Sequence, residues 1–237
     1  MKTIIAIVFL FYSLIGYTQS VKTYIPEKAY RYLPTIYEEL DRIIPGFPYP
    51  YYVPALIEHE SCISLKSKRC FDPTSELLTK REQGTGFFQL TRTFREDGST
   101  RFDVLSDMKK RYQADLKELA WGNIKQRPDL QIRSGVLLIR ENYKSFYMIS
   151  DNFERVAMAD SAHNGGKKDV MRSRTVCGLA KNCDPQKWFL NTEKYCVKSK
   201  KPLYAGRSAC DINTYHPRDV MFTRMPKYKQ DYQKTQY

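Results

Sequence analysis

Three short stretches carry side chains able to do chemistry together. They are Glu60-Ser61 at the end of V-P-A-L-I-E-H-E-S, Gly84-Thr85-Gly86-Phe87-Phe88-Gln89, and Ala162-His163-Asn164-Gly165-Gly166. On a helix Glu60 shares a face with Leu56 and Ile57, four and three residues before it. A carboxyl on that apolar face is dehydrated, which raises its pKa and keeps a proton on it near neutrality. That is the condition a general acid needs. Glu58 and His59 point elsewhere on such a helix, and an exposed Glu58 is the runner-up acid.

The elements that must position these residues follow from periodicity. Glu27 to Ile44 repeats Tyr30, Leu33, Ile36, Tyr37, Leu40 and Ile43 at helical steps. A Pro- and Tyr-rich run ends that helix, and Pro54 suits the first turn of the next one. Cys62 to Gln83 reads as a cysteine-tied polar loop with room for a small hairpin. Gly84 and Gly86 hinge a turn that delivers Gln89 among the core candidates Phe87, Phe88 and Leu90. Thr93 to Ser106 reads as loop. Helices are expected over Asp107–Leu119, Leu130–Phe146 and Asn152–Ala162, the second with Ile132, Val136, Ile139 and Tyr143 as its buried stripe. Glycines 165 and 166 stop the last of these. From Lys167 onward no long helical pattern is visible, and the tail after Pro226 is expected to fray.

Composition bounds the setting. A chain of 237 residues is long enough for one domain with its own core. A net charge of +13 favours a polyanionic partner, whether nucleic acid, anionic membrane or anionic wall polymer. Lys2 followed by the apolar run Ile4 to Ile15 and then small residues reads as an export signal over 1–20. It leaves 21–237 as a single domain, with 167–237 a basic, cysteine-containing C-terminal region. The six cysteines agree with export and allow 15 pairings. Sequential pairing of 62–70, 177–183 and 196–210 is the simplest, because each closes a short loop. No C-x-x-C spacing occurs and the histidines are scattered, so no metal and no cofactor is expected. Nothing matches a nucleic-acid-binding motif, and a membrane enters only if the N-terminal segment stays uncleaved. A monomer is expected.

In order, E-S, G-F-F-Q and A-H-N-G-G resemble the motifs of the soluble-type lytic transglycosylase domain, a branch of the lysozyme-like fold related to goose-type lysozyme. The resemblance covers roughly residues 30 to 166. Two departures stand out. Phe87 and Phe88 replace the usual Leu-Met pair, and His163 takes the place of a Tyr close to the catalytic acid. The resemblance implies a mainly helical α+β, lysozyme-like fold with a small β element, and peptidoglycan glycan strands as substrate. It implies Glu60 as acid and then base at the bond after N-acetylmuramic acid, closing a 1,6-anhydro ring. It further implies Gln89 and Asn164 holding substrate amide and hydroxyl groups and Ser61 orienting Glu60. His163 in the Tyr position would hydrogen-bond Glu60 or lower its pKa by acquiring charge.

Each residue also has a plainer reading. Gln89 is a candidate structural hydrogen-bonding residue, Asn164 a helix C-cap, and His163 local packing. Asp72, Glu76 and Glu82 stand where a hydrolase keeps a second carboxylate, so a goose-type hydrolase is the nearest alternative. A non-catalytic, exported wall-binding protein is the alternative from another class. The basic C-terminal region would then bind other anionic wall polymers.

Overall fold

The computed structural model describes residues 24–62 and 68–235. The expected export segment lies outside the described residues. The chain is mainly helical with a small antiparallel sheet. Where one helix is expected over Glu27–Ile44, two form, α1 (Glu27–Tyr30) and α2 (Leu33–Ile43). Pro34 explains the break, because its ring clashes with the carbonyl four residues back, that of Tyr30. Helix α3 (Tyr52–Ser61) carries Pro54 in its first turn, as expected.

The sheet follows. Strands β1 (Glu76–Leu78), β2 (Glu82–Thr85), β3 (Leu90–Phe94) and β4 (Thr100–Asp103) pair antiparallel in sequence order. The hairpin allowed for before Gln83 is β1–β2. The loop expected from Thr93 onward is instead the β3–β4 hairpin, with Arg92 opposite Asp103 and Thr93 opposite Phe102. These strands bury little on either face, so they lack the apolar alternation that marks a half-buried strand. Arg92 compensates by stacking over Phe94 and Trp121.

Helices α4 (Val104–Arg111) and α5 (Gln113–Leu116) divide the stretch expected as one helix, and Asp103 caps α4 through the Ser106 amide at 2.9 Å. Helices α6 (Pro128–Ser145) and α7 (Asn152–Gly165) pack on each other, and α2 packs on α6. Ile132, Val136, Ile139 and Tyr143 of α6 are buried, as are Phe87, Phe88 and Leu90. At Gly135 any Cβ would fall 2.1 Å from the Phe88 ring, so the missing side chain is what lets the sheet's turn seat against α6.

The C-terminal region departs most from expectation. It forms α8 (Lys167–Leu179), a short ribbon of β5 (Pro202–Tyr204) and β6 (Arg207–Ser208), and α9 (Ala209–Arg218). A π-helical stretch (Asp219–Arg224) then runs on into α10 (Met225–Thr235). The helices were hidden because polar residues interrupt their buried face: Asn213, His216, Asp219 and Lys227 are buried along with Val220, Met221 and Met225. The tail after Pro226 does not fray, since Lys227 and Tyr228 are buried against α3. They meet Glu58, which is 1% exposed rather than solvated. Its carboxylate accepts from Lys227 Nζ at 2.7 Å, Arg224 Nη1 at 2.9 Å and Tyr228 Oη at 2.5 Å. Two basic groups and a phenol spend that charge on holding the chain's end. The three disulfides are Cys62–Cys70, Cys177–Cys183 and Cys196–Cys210, the sequential set. Such bonds belong to an oxidising compartment. Among the described residues no helix is long and apolar enough to cross a membrane.

Replacing Glu58 by Ala takes the carboxylate from the buried Lys227 ammonium and one of two carboxylates from Arg224, so Glu58→Ala should cost about 3–5 kcal/mol. Chemical denaturation measures the loss, and amide exchange should show 225–235 opening first.

Candidate functional site

Helix α3 ends with Glu60 at the floor of a cleft of about 1220 Å³. The sheet supplies one wall, with Leu77, Gly84, Gln89 and Phe102 among its lining residues. Helices α6 and α7 supply the other, down to Asn164, with Lys167 at the start of α8. Glu60, Gln89, His163 and Asn164, four of the residues singled out from sequence, therefore share one cleft. Ser61 does not line it. The Ser61 hydroxyl donates to the Ile57 carbonyl at 2.6 Å and accepts from the Phe71 amide at 3.0 Å. These bonds brace the helix end against the Cys62–Cys70 loop, and none reaches the Glu60 carboxylate.

Glu60 is held by histidines. His216 Nε2 lies 3.0 Å from Glu60 Oε1, and His163 Nε2 lies 3.4 Å from the same oxygen. Among the described residues no hydrogen bond reaches Oε2, and the side chain retains 16% exposure. One oxygen is thus anchored while the other remains free. His163 Nδ1 is buried with no hydrogen-bond partner among the described residues.

Behind Glu60 the contacts continue into the core. His216 Nδ1 lies 2.6 Å from Asp160 Oδ2, and the Tyr52 hydroxyl donates to Asp160 Oδ1 at 2.7 Å. With a carboxylate at each ring nitrogen, His216 is satisfied only when both nitrogens carry protons. Burial opposes that charge, but Asp160 and Glu60 outweigh it and push the His216 pKa up to about 10. His59 stacks on His216 with ring centroids 4.1 Å apart and binds Asp219 through Nδ1 at 2.6 Å. All three histidines of the chain gather here.

The charge on Glu60 is therefore the reverse of the expectation. Burial taken alone raises its pKa, but hydrogen bonds from His163 and His216 and the nearby positive charge outweigh it. The carboxyl is held well below the usual carboxylate range and rests ionised. The apolar face of α3 predicted only the dehydration, because the opposing partners arrive from α7 and α9.

Gln89 sits at φ 43°, a left-handed backbone that a side chain rarely adopts. Its Nε2 donates to the Gly86 carbonyl at 2.9 Å and to Ser75 O at 3.4 Å, which closes the turn between β2 and β3. The turn is tied to α6 by Gln131, whose Oε1 accepts from the Phe87 amide at 3.0 Å. Gln89 thus has a structural role, and its Oε1 keeps acceptor capacity beside the cleft. Asn164 lies within the last turn of α7 and is not its C-cap; Gly166, at φ 88°, ends the helix. The Asn164 amide donates to Asn213 Oδ1 at 3.2 Å, and Asn213 in turn donates to Ser161 Oγ at 2.8 Å.

Other carboxylates line the cleft. Glu76 is paired with Lys125 at 2.8 Å and Glu141 with Arg111 at 2.6 Å, while Glu82 also faces the space. Tyr52, Asp160, Asn213 and His216 were missed from sequence. Asp160 left a trace, since an acid amid Val156, Ala157, Met158 and Ala159 is out of place on a buried helix unless it is paired. Nothing in the sequence linked it to His216. No family model, no curated protein and no solved structure matches the chain.

A histidine whose folded pKa is raised stabilises the fold fully below its unfolded value, near 6.5, and the contribution is lost as pH rises through about 10. Thermal stability should accordingly fall between these two values. His216→Gln should remove this group's share of the fall and lower stability at neutral pH by about 3–5 kcal/mol. Melts recorded across that range check both.

Proposed function

We propose that the protein cleaves peptidoglycan glycan strands as a lytic transglycosylase of lysozyme-like architecture, exported to act on cell wall. One observation carries this reading: Glu60 lines an open cleft with Oε1 anchored by histidines and, among the described residues, no hydrogen bond to Oε2, and Gln89 and Asn164 line the same cleft. The three motifs that prompted the resemblance lie far apart in sequence and line one groove.

In this reading Glu60 delivers a proton to the oxygen leaving N-acetylmuramic acid at C1. The sugar's acetamido oxygen stabilises the anomeric carbon. The C6 hydroxyl then bonds to C1, and Glu60 takes its proton. One C–O bond breaks, one forms, and no water is consumed. Gln89 Oε1 and the carboxamide of Asn164 serve as contacts for substrate amide and hydroxyl groups. Ser61 acts on Glu60 only through the backbone it braces. The disulfides and the charge of +13 fit an exported protein working on a polyanionic wall.

A goose-type hydrolase is the second reading. Glu76 and Glu82 favour it, because a carboxylate lining the same cleft can activate a water. Product masses separate the two, since a hydrolase leaves reducing ends one water heavier than anhydro ends.

Glu60→Gln should lower the rate of cell-wall clearing by ~10²–10⁴-fold in a variant that circular dichroism shows still folded, with a lowered melting temperature because buried His216 loses one of its two carboxylates. The wild-type digest should contain 1,6-anhydro ends by mass spectrometry. Binding of the wall with no loss of turbidity would instead make the protein a wall-binding module.

A further inference from the structure

A general acid that rests ionised needs a neighbour to hold its proton. In the cleft that neighbour comes from the C-terminal region, which the sequence resemblance does not cover. We propose, resting on the glycan-cleaving reading, that His216 is the positioning residue of this site: oriented by Asp160, it fixes Glu60 through Oε1 and stores the proton that Glu60 delivers.

The geometry supports each part. His216 is buried, its Nε2 is 3.0 Å from Glu60 Oε1, and its Nδ1 is 2.6 Å from Asp160 Oδ2. Asp160 is fully buried, and its side-chain partners among the described residues are His216 and the Tyr52 hydroxyl. It holds His216 by one oxygen and is itself held by the other. The groups facing His216 from neighbouring elements are Tyr52, His59 and Glu60 on α3, Asp160 and His163 on α7, and Asp219 through His59. The two carboxylates in direct contact outweigh burial and keep the imidazole charged. Glu60 Oε1 is taken by this contact, so the orientation of the carboxyl is set before substrate arrives.

Proton accounting is closed. The Nε2 proton passes to Glu60, leaving a neutral imidazole and a carboxylic acid. The acid gives a proton to the leaving oxygen. The C6 hydroxyl proton comes to Glu60 as the anhydro ring closes and returns to Nε2. No outside acid, oxidant or metal enters. His216 touches no reacting atom in this scheme and acts through Glu60.

The test is NMR on the full chain carrying carboxyl-¹³C glutamate and ¹⁵N histidine, with steady-state kinetics on soluble glycan strands. In the wild type, at about pH 8 and above the usual imidazole range, both His216 ring nitrogens should still be protonated. A neutral His216 at that pH overturns the proposal without any variant. In His216→Gln the Glu60 carboxyl should titrate about 1–3 units higher than in the wild type, because the opposing charge is gone and burial remains. Turnover (kcat) should fall ~10²-fold with KM nearly unchanged, since the affected group acts on Glu60 and not on bound substrate. An unmoved Glu60 titration in the folded variant, or a loss confined to KM, overturns the positioning role alone. A wild-type chain that leaves glycan strands intact overturns the glycan reading and the proton-store role with it.

Discussion

The structure depends on a positive charge buried between two carboxylates. Asp160 on α7 and Glu60 on α3 cannot both remain ionised inside the fold unless His216 is protonated between them. That requirement joins three elements from distant parts of the chain. It also explains why α9 has a polar buried face. Breaking the array would leave an uncompensated charge in the interior, a larger penalty than the loss of one ordinary hydrogen bond.

The same device appears two residues earlier on α3. Glu58 is buried among Arg224, Lys227 and Tyr228, and His59 binds Asp219, which Arg224 also contacts. Three consecutive residues, Glu58, His59 and Glu60, are thus each met by partners between 216 and 228. The C-terminal helices grip α3 by charge as well as by the apolar packing of Val220, Met221 and Met225. The two acids differ in one respect. Both oxygens of Glu58 are bonded, whereas among the described residues only Oε1 of Glu60 is, and Glu60 lines the cleft. That difference sets Glu60 apart as the acid with cleft access and Glu58 as structural.

The cleft follows from how the sheet is mounted. A turn closed by Gln89 and anchored by Gln131 seats Phe87 and Phe88 in the core, and the strands project from it as a wall. With little apolar burial of their own, the strands rely on this anchor, on Arg92 over Trp121 and on the Glu76–Lys125 pair. The wall facing α6 and α7 is therefore open and mixed in character, with Leu77 and Phe102 beside carboxylates. Such a lining suits a polar chain with apolar faces, as a glycan strand is.

Local order was legible in the sequence wherever its cause was local. Periodic apolar residues marked α2, α3, α6 and α7, Pro54 marked a first turn, and short cysteine spacings marked the three loops that are bridged. The resemblance carried by the three motifs nominated Glu60, Gln89, His163 and Asn164 for one cleft, and all four line it. Tertiary structure decided the charge states. Whether Glu60 keeps or loses its proton depends on His216, which is 156 residues away in the chain. Whether Glu58 is exposed depends on Arg224, Lys227 and Tyr228. A hydrophobic pattern reports which side of a helix leaves water. It carries no information about which charge will be waiting there, because electrostatic partners act through space and obey no sequence period.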